Sequence, residues 1–156
     1  MGTFVFADGV NLVGNAMPGG GTGQNRYVGY FENDRRHGTG RQYFDDGSQY
    51  IGEFRNNAMH DSDGRMYILR VRNEDGPNVY DRYMGAFTNG RREGLGRYIW
   101  GEHGEMYYGE FVNNRKHGFG TYFWPNGRYF EGEFYGGNLV RDEDTPEDLP
   151  PMQDPE

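Results

Sequence analysis

Cysteine is absent from the 156 residues, so the chain has neither a disulfide framework nor a thiolate metal site. Hydrophobic residues make up only 34% of it, too few to fill a large globular core. No apolar run approaches the roughly 20 residues that span a bilayer. The first residues also lack the basic start and apolar stretch of a secretory signal. These absences predict a soluble intracellular protein that is not transmembrane.

Glycine and aromatic residues are abundant instead, with 27 glycines and 17% aromatic residues. They recur in one motif: aromatic-x-Gly-x-Phe, a short polar turn, Gly-x-Gly, and four residues that end in a large apolar side chain. The spacings between successive first glycines are 23, 33, 24 and 23 residues, which is typical of a repeat protein. These structural glycines are Gly29, Gly52, Gly85, Gly109 and Gly132.

Within the motif, side chains alternate between two directions, which is the signature of a β-strand. Tyr50, Gly52 and Phe54 therefore share one face. A second strand follows Gly-x-Gly, and Asp46-Gly47 and Asn126-Gly127 are strong turn dipeptides, so each repeat is predicted to be a β-hairpin. Glycine normally weakens a strand, so we expect each mid-strand glycine to make room for a ring from an adjacent strand. A bulge or bend at each glycine is the alternative, and the two can coexist.

The tandem motif resembles the MORN (membrane occupation and recognition nexus) repeat, roughly YxGxFxxxxxHGxGxxxxxxG. Residues 27–47 and 107–127 match it, as do residues 83–104 with Glu93 in place of histidine. The resemblance implies an all-β fold, namely an elongated, twisted, single-layer antiparallel meander of tandem MORN hairpins with an aromatic groove. It also implies a scaffold or membrane-adjacent role rather than a fixed chemistry.

Three segments are predicted along the chain. Residues 1–26 form an N-terminal half-repeat, with a second strand over Gly2–Phe6, and a truncated glycine-rich repeat. Residues 27–140 form the MORN array, with an inserted hairpin at about 69–82 that is either a tolerated surface loop or a finger contacting a partner. Residues 141–156 form an irregular, proline-rich tail, whose seven acidic residues and one arginine give a charge of −6 out of −8. With almost nothing apolar to bury, this tail is not expected to fold alone.

The sequence shows no set of catalytic residues. His37, His60 and His117 occupy the same repeat position, about one repeat apart, which favours a role in turns over a shared metal ion. The glycine-rich residues 19–23 lack the lysine of a phosphate-binding loop, and residues 61–64 lack the rest of a calcium loop. We expect no enzyme activity, no catalytic or metal site and no cofactor.

A basic pair falls at the same turn position in three repeats, and these pairs predict a basic row along one sheet edge. The row is either a solvated row with local carboxylate partners, a site for an acidic protein segment or anionic lipid, or a site for the chain's own acidic tail. The negative net charge argues against nucleic-acid binding. The six residues are Arg35, Arg36, Arg91, Arg92, Arg115 and Lys116.

Aromatic surfaces without a second layer usually mark interaction sites. We therefore expect a non-catalytic scaffold subunit of a large assembly, with a partner helix or extended segment in the aromatic groove. The MORN resemblance points first to the cilium or flagellum, to axonemal complexes such as the radial spoke, and hence to the cytoplasm and cytoskeleton. A peripheral phosphoinositide- or anionic-membrane-binding module and a scaffold of another assembly are the alternatives. The predicted groove residues are Tyr27, Phe31, Phe44, Tyr50, Phe54, Tyr83, Phe87, Trp100, Tyr107, Phe111, Trp124, Phe130 and Phe134.

Overall fold

The computed structural model describes residues 3–6 and 25–155. In these residues twelve strands form one open antiparallel sheet, and neighbours in the sheet follow chain order. Short β5 pairs with β4, beside the pairing of β4 with β6. The all-β, single-sheet meander is therefore confirmed. The strands are β1 (Thr3–Phe6), β2 (Arg26–Glu32), β3 (Arg35–Tyr43), β4 (Gln49–Arg55), β5 (Ala58–Met59), β6 (Asp61–Val71), β7 (Val79–Thr88), β8 (Arg91–Trp100), β9 (Glu105–Val112), β10 (Arg115–Phe123), β11 (Tyr129–Tyr135) and β12 (Asn138–Leu139).

Two residues with positive φ form the tight turn inside each repeat, and the first of them is asparagine in every such turn except the last. In Asn113-Asn114, φ is 52° and 69°, and Val112 pairs with Arg115 across the turn. Positive φ at both central residues is the type I′ geometry, whose twist matches that of the flanking strands. Asparagine tolerates this backbone region better than most residues. The same pattern of two positive φ values recurs at residues 33–34, 56–57, 89–90 and 136–137.

The mid-strand glycines make room for tyrosine rings. For the first glycine of a repeat the ring comes from two residues earlier in its own strand, and for the glycine paired with it the ring comes from the adjacent strand, as expected. The Tyr27 ring lies over Gly29 and over Gly40, which pairs with Gly29 across β2 and β3. A Cβ at either glycine would collide with this ring. The Tyr27 hydroxyl donates to the carbonyl of Tyr30 at 3.0 Å. Equivalent ring positions are found for Tyr83 over Gly85 and Gly96, and for Tyr107 over Gly109 and Gly120.

Bulges occur as well, at the turn side of the same glycines. The register shifts between Gly29 and Phe31, and again between Gly85 and Phe87. Gly118, the first glycine of a Gly-x-Gly, has φ of 61°. Both interpretations of the glycines therefore apply, since they make room for rings and also lie beside bulges.

A chain of edge-to-face aromatic contacts joins the repeats. Tyr50 packs against Phe54 of its own repeat at a centroid distance of 5.1 Å and against Phe87 of the next, also at 5.1 Å. Tyr107 does the same with Phe111 and Phe134, at 5.2 Å each. Each such pair adds about 0.5–1.5 kcal/mol beyond the area it buries. We call the face that carries these tyrosines the inner face and the opposite one the outer face.

The inserted segment prolongs the β6–β7 hairpin, with Leu69 opposite Tyr80 and Val71 opposite Val79. It contacts the preceding inter-repeat turn, because the Leu69 amide donates to the Ser48 hydroxyl at 3.0 Å. At the other end of the array, β1 pairs with β2. The predicted glycine-rich truncated repeat falls within residues 7–24, outside the described residues.

Candidate functional site

The predicted groove residues lie on the inner face, but most are sealed rather than open. Ten of the thirteen are at most 5% exposed, because the tyrosine rings pack on glycines and on phenylalanine rings of their own and the next repeat, while the two tryptophans contact the tail. They form the core, which corrects the expectation of an open aromatic groove. Phe31, Phe44 and Phe130 are half-buried against that core. That a partner contacts these three stays a prediction.

An extended segment does lie on the inner face, and it is the chain's own tail. Leu149 and Met152 pack against the core cluster, and Pro155 is buried. Arg128 holds the tail's entry through its guanidinium, 3.0 Å from the Asp148 carboxylate. The tail was expected to have almost nothing to bury, yet these few anchors fit between the side chains of β8 to β11.

Side-chain donors of the sheet bind backbone carbonyls of the tail. Trp100 and Trp124 donate their indole N–H groups to the carbonyls of Asp154 and Pro151, at 3.3 and 3.2 Å. The Lys116 ammonium donates to the Gln153 carbonyl at 2.8 Å. Trp100 and Trp124 occupy the same position in two repeats, so the donors recur along the array. Contacts to carbonyls recognise an extended backbone more than any particular side chain.

The six basic residues do not form one row. Arg35, Arg91 and Arg115 are exposed, whereas Arg92 and Lys116 are 7% and 1% exposed on the inner face. The physical reason is that β3, β8 and β10 begin at the first residue of each pair, so adjacent side chains point to opposite faces. The prediction of a single edge row is therefore wrong, because the residues form an exposed set and an inward set. Arg36 belongs to the inward set, since it is half-buried over the Tyr27 and Phe54 rings.

Lys116 is enclosed by aromatic rings and by the tail. Its Nζ lies 5.1 Å from the Tyr122 ring centroid and 5.2 Å from that of Phe134. Burial lowers the pKa of its amine to about 8, while Asp154, with a carboxylate oxygen at 3.9 Å, acts in the opposite direction. Burial likewise lowers the pKa of the Arg92 guanidinium. Arg92 and Lys116 therefore bind the chain's own tail, which was one of the three interpretations of the basic pairs.

A family model for the MORN repeat matches residues 27–49, 50–60, 83–105 and 107–127, which together make up half of the chain. The chain belongs to the MORN repeat family. Repeats of this family generally mediate interactions with proteins or membranes. The comparison with curated proteins gave no significant match. Within residues 3–6 and 25–155, no helix is long and apolar enough to cross a membrane.

The histidine position of the MORN motif links consecutive turns. The Nδ1 atoms of His37 and His117 accept hydrogen bonds from the backbone amides of Asn56 and Gly136, at 3.3 and 3.4 Å. Glu93, at the histidine position of its repeat, accepts from the Asn113 amide at 2.9 Å. The position thus supplies an acceptor to the next turn in these three repeats, whereas the buried Nδ1 of His60 has no hydrogen-bond partner among the described residues.

A buried polar network beside the tail was not anticipated from the MORN motif. Asp81 is 3% exposed and accepts from the Arg70 guanidinium at 2.7 Å and from the Tyr98 hydroxyl at 2.8 Å. Its second oxygen accepts from the Gly101 amide at 2.9 Å. Burial raises the pKa of Tyr98 to about 12. The sequence contained the information needed to find Asp81. It lies two residues before Tyr83 in the same strand, so its side chain faces the core as that of Tyr83 does.

Proposed function

We propose that this protein is a non-catalytic scaffold subunit whose inner face holds an extended segment of a partner protein. The observation that carries the proposal is the docked tail, bound through the carbonyls of Pro151, Gln153 and Asp154. Beyond the tail the same face continues with half-buried rings, so it can hold a second extended segment.

The partner segment would lie on the N-terminal half of the inner face, beside the tail. Phe44 stands at the repeat position of Trp100 and Trp124, and Arg36 at that of Arg92 and Lys116. Phe44 is half-buried, so it offers part of its ring to a partner. Because phenylalanine has no indole N–H, this half binds through apolar contact more than through hydrogen bonds.

We further propose that the assembly is ciliary or flagellar, an axonemal complex of radial-spoke type, which places the protein at the cytoskeleton. Family resemblance supports this choice, together with the repeat architecture, in which each hairpin packs on its neighbours and sets a fixed spacing. No enzyme activity is part of the proposal.

Site-specific photo-crosslinking in ciliary material tests this proposal. A benzophenone side chain at Phe44 should cross-link to peptides of axonemal subunits, identified by mass spectrometry. The matched control carries the same group at Tyr129, which is exposed on the outer face of β11. Cross-links from Tyr129 alone, or recovery of proteins unrelated to the axoneme, would contradict the proposal.

A second candidate is a peripheral module for anionic membranes, favoured by the exposure of Arg35, Arg91 and Arg115 at one repeat position. Near an anionic leaflet each basic residue gains about 1 kcal/mol. Flotation with phosphoinositide-containing vesicles, at low and moderate salt, tests it. Flotation that is lost when all three arginines are replaced by glutamine would favour the membrane module over the scaffold.

A further inference from the structure

The outer face of β2 to β8 carries an unusual density of positive charge for a chain of net charge −8. Five of its residues are exposed arginines, and we call them the outer arginine patch. They alternate along their strands with inner-face residues such as Tyr27, Tyr83 and Tyr98. The patch consists of Arg26, Arg41, Arg65, Arg82 and Arg97.

The strand register places the arginines in two adjacent rows that cross the sheet. In one row Arg41 pairs with Ile51, Ile51 with Arg65, Arg65 with Met84, and Met84 with Arg97. Neighbouring strands lie about 4.8 Å apart, so the arginines of this row recur at about 10 Å. That distance corresponds to roughly three residues of an extended chain.

The second row combines arginine with tyrosine. Arg26 pairs with Tyr43, and Tyr67 with Arg82, with Gln49 between the two tyrosines. The Arg26 guanidinium lies 4.3 Å from the centroid of the Tyr43 ring. Stacking on a ring orients a guanidinium and leaves its N–H donors available at the edges.

The patch is not neutralised by the described part of the chain. None of its five guanidinium groups has a carboxylate oxygen within 4 Å in residues 3–6 and 25–155. The outer face also carries glutamates: Glu53 lies on β4, among the strands of the patch, and Glu110, Glu131 and Glu133 lie on β9 and β11. Arginine therefore predominates on the outer face of β2 to β8, and glutamate on that of β9 and β11.

We propose that the outer arginine patch binds an acidic polypeptide segment that runs across the strands. Strand-to-strand twist of roughly 20–25° turns the surface normal by about 100° between β2 and β8. A flat membrane therefore meets only part of the patch at once, whereas an extended chain follows the twist. Carboxylates at about 10 Å spacing then pair with guanidinium groups in the geometry that arginine favours. This surface is separate from the inner-face site of the proposed function.

A labelled deca-glutamate peptide tests this inference with the full chain in fluorescence anisotropy at low salt. We expect saturable binding that weakens as salt rises. Replacing Arg41, Arg65 and Arg97 with glutamine should lower the affinity at least tenfold. The matched control replaces Arg35, Arg91 and Arg115 with glutamine, which changes the net charge equally and should lower the affinity less than twofold.

Three outcomes would overturn the inference. One is no binding to the wild-type chain at low salt. The second is an equal loss in the two triple variants, which would mean attraction to charge in general. The third is binding to phosphatidylserine vesicles that depends on the patch while the peptide is not bound. Far-UV circular dichroism checks that both variants fold, as expected because the replaced side chains are exposed.

Discussion

Lys116 gives the fold a pH dependence that can be measured in isolation. Its pKa is about 8 in the folded chain, against the ordinary value of 10.5 that it regains on unfolding. Between these values the unfolded chain binds more protons than the folded chain, so the free energy of unfolding rises with pH. A gap of this size corresponds to roughly 3 kcal/mol, of which about 2 kcal/mol is gained between about pH 7 and about pH 9.5.

The test compares Lys116→Met with Arg115→Met, which removes a neighbouring but exposed charge. Urea unfolding followed by circular dichroism gives the free energy of unfolding at several pH values. The wild type and Arg115→Met should gain about 2 kcal/mol more over this range than Lys116→Met does. Burial also raises the pKa of the core tyrosines, among them Tyr83 and Tyr107, and their partial ionisation in the unfolded chain removes about 1 kcal/mol by about pH 9.5 in all three chains, so the net gain of the wild type is about 1 kcal/mol. A Lys116→Met curve with the same slope as the wild-type curve would refute the burial of this amine.

Two further perturbations probe the glycine sites and the tail. Gly120→Ala places a Cβ against the Tyr107 ring and should cost about 2–4 kcal/mol of unfolding free energy, whereas Gly76→Ala, with nothing within 4 Å, should cost under about 0.5 kcal/mol. Equal effects in urea unfolding would count against the ring–glycine packing. Trp124→Phe keeps a ring but removes the hydrogen bond to the Pro151 carbonyl, so hydrogen exchange in the tail should speed up by roughly the factor of five that 1 kcal/mol provides. Unchanged exchange there would show that the indole N–H does not hold the tail.

The hairpins could be predicted from the sequence because their information is local. Alternation of aromatic residue and glycine, as in Tyr107 and Gly109, fixes both the strand and the face it buries. The turn dipeptide Asn126-Gly127 forms its turn, with φ of 88° at Gly127. Which strand supplies the ring over each glycine was harder to predict, because it depends on the rotamer that the tyrosine takes after the strands pair.

The docked tail could not be predicted in the same way. Its contacts are mainly carbonyls, which every residue has, and besides the buried Pro155 its apolar anchors are Leu149 and Met152. The acidic composition of the tail indicated that it would not fold, and two apolar residues were too few to predict the opposite. The inward direction of Arg92 and Lys116 was available from strand alternation, but it required knowing that the strands begin at the first residue of each pair.

The tail also changes the order in which the repeats of the array are expected to unfold. In a solenoid each unit contacts only its neighbours, so fraying normally starts at either end and moves inward one unit at a time. Here Arg92, at the start of β8, donates to the Pro155 carbonyl at 3.4 Å, while Arg128, just before β11, holds Asp148. The tail therefore links β8 to the start of β11, and these strands belong to hairpins that are not adjacent in the sequence. We expect the C-terminal half to melt as one cooperative block, after the N-terminal hairpins have already opened.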